Sequence, residues 1–152
     1  MQKVKIKKNK QKLGISTYYY SNNFGALFQA ISLRDFIKKI NNQDINFNSY
    51  QPFKFFYQEI VRPMLTKNLK VSFLIFKKNL KLFFWRKKNN IKFPSFFFNN
   101  KNNKINIYGS DEIWNFQNQF NSLDLNFFGY KDNSKKIAYA VSIGRADFNK
   151  IN

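Results

Sequence analysis

The chain has 152 residues, no cysteine, no histidine, 20 phenylalanines and a formal net charge of +19. The missing cysteine and histidine exclude disulfides, thiolate and imidazole metal ligands, and nucleophilic catalysis that depends on either residue within this chain. The length fits one domain, and a hydrophobic content of 43% argues against disorder despite the charge.

The positive charge is carried almost entirely by lysine. The arginines are only Arg34, Arg62, Arg86 and Arg145. Domains that read DNA or RNA rely strongly on arginine, because its planar fork binds phosphates and guanine with two hydrogen bonds. The lysine excess also accompanies many Asn, Phe and Ile residues, all of which have A/T-rich codons. We therefore favour nucleotide bias as its origin, with binding to nucleic acid or an anionic membrane as the alternative.

No targeting or membrane-spanning pattern is present in this sequence. Residues 1–12 form a lysine-rich lead-in, but the roughly 7–15 apolar residues of a secretory signal do not follow it. The longest apolar stretches, such as Phe73–Phe76, are far shorter than the roughly 20 residues that a membrane span needs. We expect a cytoplasmic protein, with peripheral contact at the inner face of the membrane left open.

The first ordered segment predicts a strand–helix–strand unit. Residues 13–18 are typical of a short buried strand, and Asn22 or Asn23 is placed to cap the helix that follows. Apolar side chains then recur every three or four residues over 24–40, which predicts an amphipathic helix. Alternation over 45–49 predicts a second strand. Such units pair their strands in parallel with a right-handed crossover.

The middle of the chain predicts two helices. Residues 53–65 form the first, with a break near Pro63, and residues 68–88 form the second. The second helix has one apolar face, made by Leu69, Phe73, Phe76, Leu80, Phe83 and Phe84. At about 100° from it lies a basic face, made by Lys70, Lys77, Lys81 and Lys88. We favour packing of the phenylalanines on the sheet; contact with anionic lipid is the alternative.

The last third of the chain completes a parallel sheet. Residues 89–104, rich in Asn, Lys and Phe, predict a loop. A strand at Ile105–Tyr108 runs into a turn or short helix through Trp114, and residues 135–142 predict a fourth strand. The predicted fold class is α/β with a Rossmann-like parallel sheet, formed by residues 13–152 after the lead-in.

Small and polar residues follow three of the predicted strands. Ligands of open α/β sheets bind beyond the carboxyl ends of the strands. A carboxylate such as Asp111 accepts hydrogen bonds from hydroxyls, and Trp114 offers a platform for a sugar face. A helix N-terminus offers free N–H groups to an anion or a hydroxyl. The candidate binding residues are Asn22, Asn23, Gly25, Gly109, Ser110, Asp111, Trp114, Asn115, Ser142 and Gly144.

Each candidate also has a purely structural explanation. The two asparagines can cap a helix, and Gly25 can let that helix approach the sheet. Residues 109–111 can form a plain turn, with Asp111 bonded to its own backbone. Trp114 can belong to the core, and Ser142 with its neighbours can simply end a strand. Neither a Walker pattern nor Gly-x-Gly-x-x-Gly is present, so no nucleotide-binding fingerprint applies.

Three segments together resemble the polysaccharide pyruvyl transferase family. Residues 13–30 resemble its opening strand, Asn-Tyr-Gly-Ala turn and Leu-Gln-Ala helix. Residues 109–115 resemble its Gly-Ser-Asp-Gln-Val-Trp-Asn signature, with Glu112 in place of Gln. Residues 136–144 resemble its Lys-Ile-Ala-Tyr-Ala-Ala-Ser-Phe-Gly strand. The resemblance extends over residues 13–145, although the middle of the chain matches weakly.

The resemblance implies a ketal-forming transferase of exopolysaccharide biosynthesis. Such an enzyme moves the enolpyruvyl group of phosphoenolpyruvate, the donor substrate, onto sugar hydroxyls of a surface glycan. It implies a two-lobed GT-B-like fold, of which this chain is expected to form only the N-terminal lobe. The family's basic and histidine residues that hold the donor lie mainly in the C-terminal lobe. The resemblance therefore implies acceptor binding by this chain, with catalytic residues unassigned and neither metal nor resident cofactor.

These expectations leave three functions open. In the first, the lobe binds a glycan or lipid-linked sugar acceptor, is inactive alone, and needs a C-terminal lobe from a separate chain or a homo-oligomer. The second is a non-catalytic glycan- or membrane-surface-binding domain that uses the basic helix at residues 68–88. The third, charge-driven nucleic-acid binding, is disfavoured because arginine is scarce and no recognition motif is present.

Overall fold

A four-stranded parallel sheet organises the computed structural model, which describes residues 12–42, 45–65, 68–98, 103–117, 124–130, 132–147 and 149. Its strands are β1 (Leu13–Ser16), β2 (Asn46–Phe47), β3 (Ile105–Gly109) and β4 (Lys135–Tyr139), in the spatial order β2-β1-β3-β4. All three pairings are parallel. The predicted α/β class is confirmed, and the arrangement is consistent with a Rossmann-like fold. Most of the predicted lead-in, residues 1–11, lies outside the described residues.

Helix α1 (Phe24–Asn41) forms the crossover between β1 and β2, as predicted. The side chain of Asn23 caps it by accepting a hydrogen bond from the backbone N of Gly25 at 2.9 Å. The helix ends at Asn42, whose φ of 48° is the left-handed conformation that asparagine tolerates. One side of α1 packs on the sheet in an apolar cluster of Ile15, Leu33, Ile37, Ile45 and Ile107.

The connection between β2 and β3 begins and ends irregularly. Helix α2 (Phe53–Phe56) continues as a π-helical segment (Tyr57–Val61) and a 3-10 turn (Arg62–Met64). The chain is thus helical over most of the predicted range, but the regular α-helix ends at Phe56, well before the break predicted near Pro63. Pro63, which lacks a backbone N–H, lies in the 3-10 turn that ends the helical stretch. Residues 91–98, just before β3, contain neither helix nor strand, as the predicted loop requires.

Helix α3 (Leu69–Lys88) has the predicted bounds but a different inner face. Its buried and half-buried side chains lie along one side of the helix: Ser72, Ile75, Asn79, Leu82, Trp85 and Arg86. The prediction that Phe73, Phe76 and Phe83 pack on the sheet is wrong, because these side chains are 64%, 48% and 45% exposed. Polar contacts of Asn79 and Arg86 with the turn between β1 and α1 hold the helix in this rotation.

The strands are shorter than the sequence predicts. β1 ends at Ser16 rather than at Tyr18, and β2 is shorter on both sides. β4 ends at Tyr139 rather than at Ser142, because Ala140 has a φ of 46° and cannot continue an extended strand. The polar residues that follow β3 and β4 therefore belong to turns rather than to the strands.

The sheet face opposite α1 carries a buried polar network. Asn106 on β3 donates to Asp132 through Nδ2 at 2.7 Å, and the hydroxyl of Tyr108 donates to the same carboxylate oxygen. Nδ2 of Asn48 donates to Oδ1 of Asn106 at 3.1 Å. A Cβ at Gly14 would overlap both asparagines, so β1 needs a glycine there to make room for the network.

Strand β4 ends the sheet among the described residues. It pairs with β3 on one side only, and every one of its residues is exposed. The exposed fractions of Ile137 and Tyr139 are 42% and 51%. Neither face of this strand is therefore covered to the extent that α1 covers β1.

Candidate functional site

The turn after β3 is strained and closely packed. Gly109 has a φ of 130°, and a Cβ there would overlap the backbone of Tyr139, so only glycine fits. Ser110 follows with a φ of 61°, a conformation that costs a non-glycine residue about 1–2 kcal/mol. Its Oγ is buried and has no hydrogen-bond partner among the described residues. Strain of this kind concentrates at binding and catalytic sites.

The turn after β3 and the segment after β4 are joined by backbone hydrogen bonds. Ser110 N donates to the carbonyl oxygen of Tyr139 at 2.8 Å. Ser142 N donates to the carbonyl oxygen of Asp111 at 3.1 Å, and Trp114 N donates to the carbonyl oxygen of Ser142 at 3.3 Å. The second and third predicted strand ends therefore form one continuous surface.

The side chain of Glu112 lies between the same two turns. Its Oε2 accepts a hydrogen bond from Nδ2 of Asn115 at 3.1 Å. Gly144 has a φ of 62°, and a Cβ there would overlap the Glu112 carboxylate. Oγ of Ser142 accepts a hydrogen bond from the backbone N of Gly144 at 2.8 Å. A glutamine at position 112 could accept the bond from Asn115 through its amide oxygen, so the departure from the family pattern preserves this contact.

Asp111 lies in surroundings that disfavour its negative charge. Burial raises the pKa of Asp111; its hydrogen bond from the backbone N of Glu112, at 2.7 Å, acts in the opposite direction. The negative charges of Glu112 and Glu59 raise the pKa further. A partly buried carboxylate in this state gains from a hydroxyl that donates a hydrogen bond to it.

Trp114 packs into the protein, as its structural explanation predicted, while its role as a platform for a sugar stays a prediction. Its indole stacks on Phe128 with ring centroids 5.2 Å apart, and its Nε1 donates to the carbonyl oxygen of Phe127 at 2.9 Å. The ring is half-buried and packs against a core cluster that includes Phe127. One ring face is thus covered by Phe128, and the ring as a whole remains partly accessible.

Asn22, after β1, is hydrogen-bonded inside the protein. Its Nδ2 donates to Oδ1 of Asn79 at 2.9 Å, and its Oδ1 accepts from Arg86 at 3.2 Å. Its backbone N donates to the carboxylate of Glu59 at 2.9 Å, and Ser21 Oγ donates to the same oxygen at 2.6 Å. This geometry makes Asn22 a residue that positions the turn, while its predicted contact with a ligand stays a prediction.

Asn23 and Gly25 lie at an exposed helix end. Both are exposed, and Asn23 is the cap of α1 described above. A Cβ on Gly25 would meet only the side-chain oxygen of Asn23, at 3.2 Å. The interpretation that Gly25 lets the helix approach the sheet therefore lacks structural support, and the N-terminus of α1 is open to solvent at this point.

Glu59 is a residue of the site that sequence reasoning missed. It lies in the π-helical segment, a type of distortion that is frequent at functional sites. Its carboxylate binds the turn after β1, and its charge acts on Asp111 after β3, so it lies between these two strand ends. One sequence signal could have found it, since Glu59 is the only acidic residue between Asp44 and Asp111.

The three strand ends meet over a shared core. Tyr18 after β1 and Ile113 after β3 belong to one buried cluster, and Val141 after β4 packs against it. Lysine and arginine are absent from segments 18–30 and 109–115, although the chain carries a net charge of +19. These two segments are therefore neutral to acidic in themselves, whereas the guanidinium of Arg86 contacts the first of them through Asn22 and Arg145 directly follows Gly144.

Within the described ranges, no three acidic side chains lie close enough to hold a metal ion. Over the same part of the chain, no helix is both long and apolar enough to cross a bilayer. Comparisons of the chain with protein-family models, with curated proteins and with solved structures find no match.

Proposed function

We propose that this chain forms the acceptor-binding N-terminal lobe of a GT-B-like polysaccharide pyruvyl transferase. The observation that carries the proposal is the meeting of three motif-bearing strand ends at the carboxyl edge of one parallel sheet. This edge is where open α/β sheets bind ligands. The resemblance of the same segments to the family supplies the reaction, which is transfer of pyruvyl from phosphoenolpyruvate to a sugar hydroxyl of a surface glycan as a ketal.

The acidic side chains at this edge support an acceptor role rather than a donor role for the turn after β3. Phosphoenolpyruvate carries a phosphate and a carboxylate, which the acidic side chains of Glu59, Asp111 and Glu112 would repel. A sugar hydroxyl is uncharged and donates a hydrogen bond to a carboxylate, and the half-buried indole of Trp114 is of the aromatic type that packs on the apolar face of a sugar ring. Asp111 is accordingly the principal acceptor of a hydrogen bond from the ligand, and Asn23 at the exposed N-terminus of α1 is a second contact.

The reaction also requires groups that this edge does not offer. Ketal formation moves a proton to the methylene carbon of phosphoenolpyruvate, joins C2 to two sugar oxygens and releases phosphate. The acid that delivers the proton and the cations that hold the leaving phosphate are assigned to a second lobe, from another chain or another copy. Residues of this chain then bind and orient the hydroxyls that attack C2.

A binding experiment tests the acceptor role on the chain alone. The Trp85→Phe variant leaves Trp114 as the only tryptophan. We expect its fluorescence to change saturably with a neutral oligosaccharide from a panel with hexose and N-acetylhexosamine termini, and we expect Asp111→Asn to abolish this change. Asp35→Asn is the matched control, because Asp35 is exposed on α1 and pairs with Arg34. A folded protein that responds to no member of the panel would overturn the proposal.

A further inference from the structure

We propose that the outer surface of helix α3 docks the protein on anionic membranes. The surface consists of an apolar stripe, a row of lysines and an apolar groove beside α1. It lies on a different element from the strand-end site, and the inference does not rest on the glycan function. The partner is a bilayer that contains anionic phospholipid.

The apolar stripe consists of large apolar side chains that are exposed to solvent in the folded protein. Their exposed fractions range from 43% to 83%, and their spacing of three and four residues places them along one side of the helix. Contiguous apolar surface of this kind is rare on monomeric proteins and marks interaction sites. The stripe consists of Leu69, Phe73, Phe76, Leu80, Phe83 and Phe84.

The lysine row favours a partner with negative charge. Lys70, Lys77, Lys81 and Lys88 lie next to the stripe, all are exposed, and no residue of α3 is acidic. Each lysine near an anionic leaflet contributes about 1 kcal/mol of attraction. A second copy of this chain would bring another charge of +19 to the same face, so repulsion disfavours self-association there. Charge complementarity therefore favours an anionic bilayer as the occupant.

The groove extends the apolar surface to the other side of the lysine row. It has a volume of about 680 Å³ and lies between the N-terminus of α1 and α3. Phe24 and Phe28 line it from α1, Leu74 and Trp85 from α3, and Lys77 stands at the junction with the stripe. Tryptophan with an apolar body and a polar N–H is typical of the membrane interface. An acyl chain fits the groove while lysines contact the headgroup phosphates, since lysine stems lie along apolar surface with their ammonium groups in water.

The substituted stripe residues Phe73 and Phe84 take no part in the hydrogen bonds that hold α3 in place. The helix is fixed by its inner strip, in which Arg86 donates to the carbonyl oxygen of Ser21 and Asn79 accepts from Asn22. Substitutions in the stripe therefore change docking without removing these contacts, and substitutions of exposed residues are usually close to neutral for stability.

The test is flotation of the full chain with vesicles of phosphatidylcholine alone or of an equimolar mixture with phosphatidylglycerol. We expect binding to the mixed vesicles, little binding to phosphatidylcholine, and weakening by salt. The double variant Phe73→Ser/Phe84→Ser should lose affinity at least roughly tenfold, because two apolar side chains no longer enter the interface. The double variant Lys70→Gln/Lys77→Gln should lose roughly thirtyfold and show a weaker salt dependence.

Matched controls come from the outer face of α1. Phe36 and Ile40 are as exposed as the stripe residues, and Lys38 and Lys39 are exposed lysines on the same helix. Phe36→Ser/Ile40→Ser and Lys38→Gln/Lys39→Gln should bind mixed vesicles like the unchanged protein. Absence of binding by the unchanged chain overturns the proposal, as does equal loss in the controls. A dimer that Phe73→Ser/Phe84→Ser converts to monomer, without vesicle binding, would assign the stripe to contact between copies.

Discussion

Two non-glycine residues in the left-handed conformation lie directly after strands, at the start of the turns that form the candidate site. Ser110 and Ala140 follow β3 and β4, with φ values of 61° and 46°. Neither residue type suggests such a backbone from sequence, whereas Gly109 and Gly144 do. The strain at these positions is therefore information that only the structure provides.

Replacing Ala140 by glycine should stabilise the protein. The left-handed conformation costs alanine about 1–2 kcal/mol, and the greater freedom of glycine in the unfolded chain offsets part of the gain. We expect Ala140→Gly to raise the free energy of unfolding by about 0.5–1 kcal/mol, measured by urea denaturation. Ala138→Gly is the control, because Ala138 lies in β4 and glycine weakens a strand. Equal destabilisation by both changes would contradict the strain at Ala140.

At the scale of elements, periodicity predicts where the helices lie better than how they are rotated. The bounds of α1 and α3 follow from capping asparagines and the spacing of apolar residues. The inner face of α3 does not follow from apolar spacing, because it includes the polar residues Asn79 and Arg86. Their partners are far away in the sequence, in the turn between β1 and α1.

Arg86 should therefore be one of the most sensitive positions in α3. Its guanidinium is buried, donates to the carbonyl oxygen of Ser21 and lies 4.2 Å from the centroid of the Tyr20 ring. Burial lowers the pKa of Arg86, and the nearby Tyr20 and Glu59 counteract this effect. Removing the cation leaves buried acceptors unpaired.

We expect Arg86→Met to lower the free energy of unfolding by about 3 kcal/mol, because one partner of a buried polar network is lost. Thermal and urea unfolding measure this change. Phe73→Ser, on the exposed side of the same helix, should alter stability by no more than about 0.5 kcal/mol. If Phe73→Ser were the more damaging change, α3 would have to be rotated so that Phe73, and not Arg86, faces the interior.

At the scale of the whole molecule, the parallel α/β arrangement was predictable from the sequence, whereas the buried polar contacts in its interior were not. A strand–helix–strand pattern predicts parallel pairing, and polar residues after strands predict the edge at which a ligand binds. The network around Asp132 and the position of Glu59 depend on contacts between distant segments, which local patterns do not encode. The sequence therefore predicted the fold class and the edge of the sheet where the candidate residues lie, but not the carboxylate of Glu59 that contacts the turn after β1.

The same network should make the fold sensitive to acid. Burial alone would raise the pKa of Asp132, but hydrogen bonds from Tyr108, Asn106 and Ser134 together lower it to about 2. The unfolded chain therefore binds more protons than the folded one as pH falls, and the stability that this carboxylate contributes is present above about pH 4 and lost toward pH 2.

We expect the unfolding midpoint in urea to fall between pH 4 and pH 2, and we expect Asp132→Asn to flatten that dependence, since an amide does not titrate. Asp35→Asn, on the surface, is the control and should leave the slope unchanged. An acid response of the same size in Asp132→Asn would place its origin in other groups.

The exposed strand β4 offers a position at which another strand could join the sheet. A strand with one unpaired edge is a template that accepts a further strand, and lysines such as Lys135 and Lys136 are residues that discourage such pairing between identical copies. Ile137 and Tyr139 retain apolar surface that an added layer would remove from water. Burial of this apolar surface would therefore favour the addition of a strand next to β4. The positive charge of the edge favours a strand with acidic side chains over another copy of the chain.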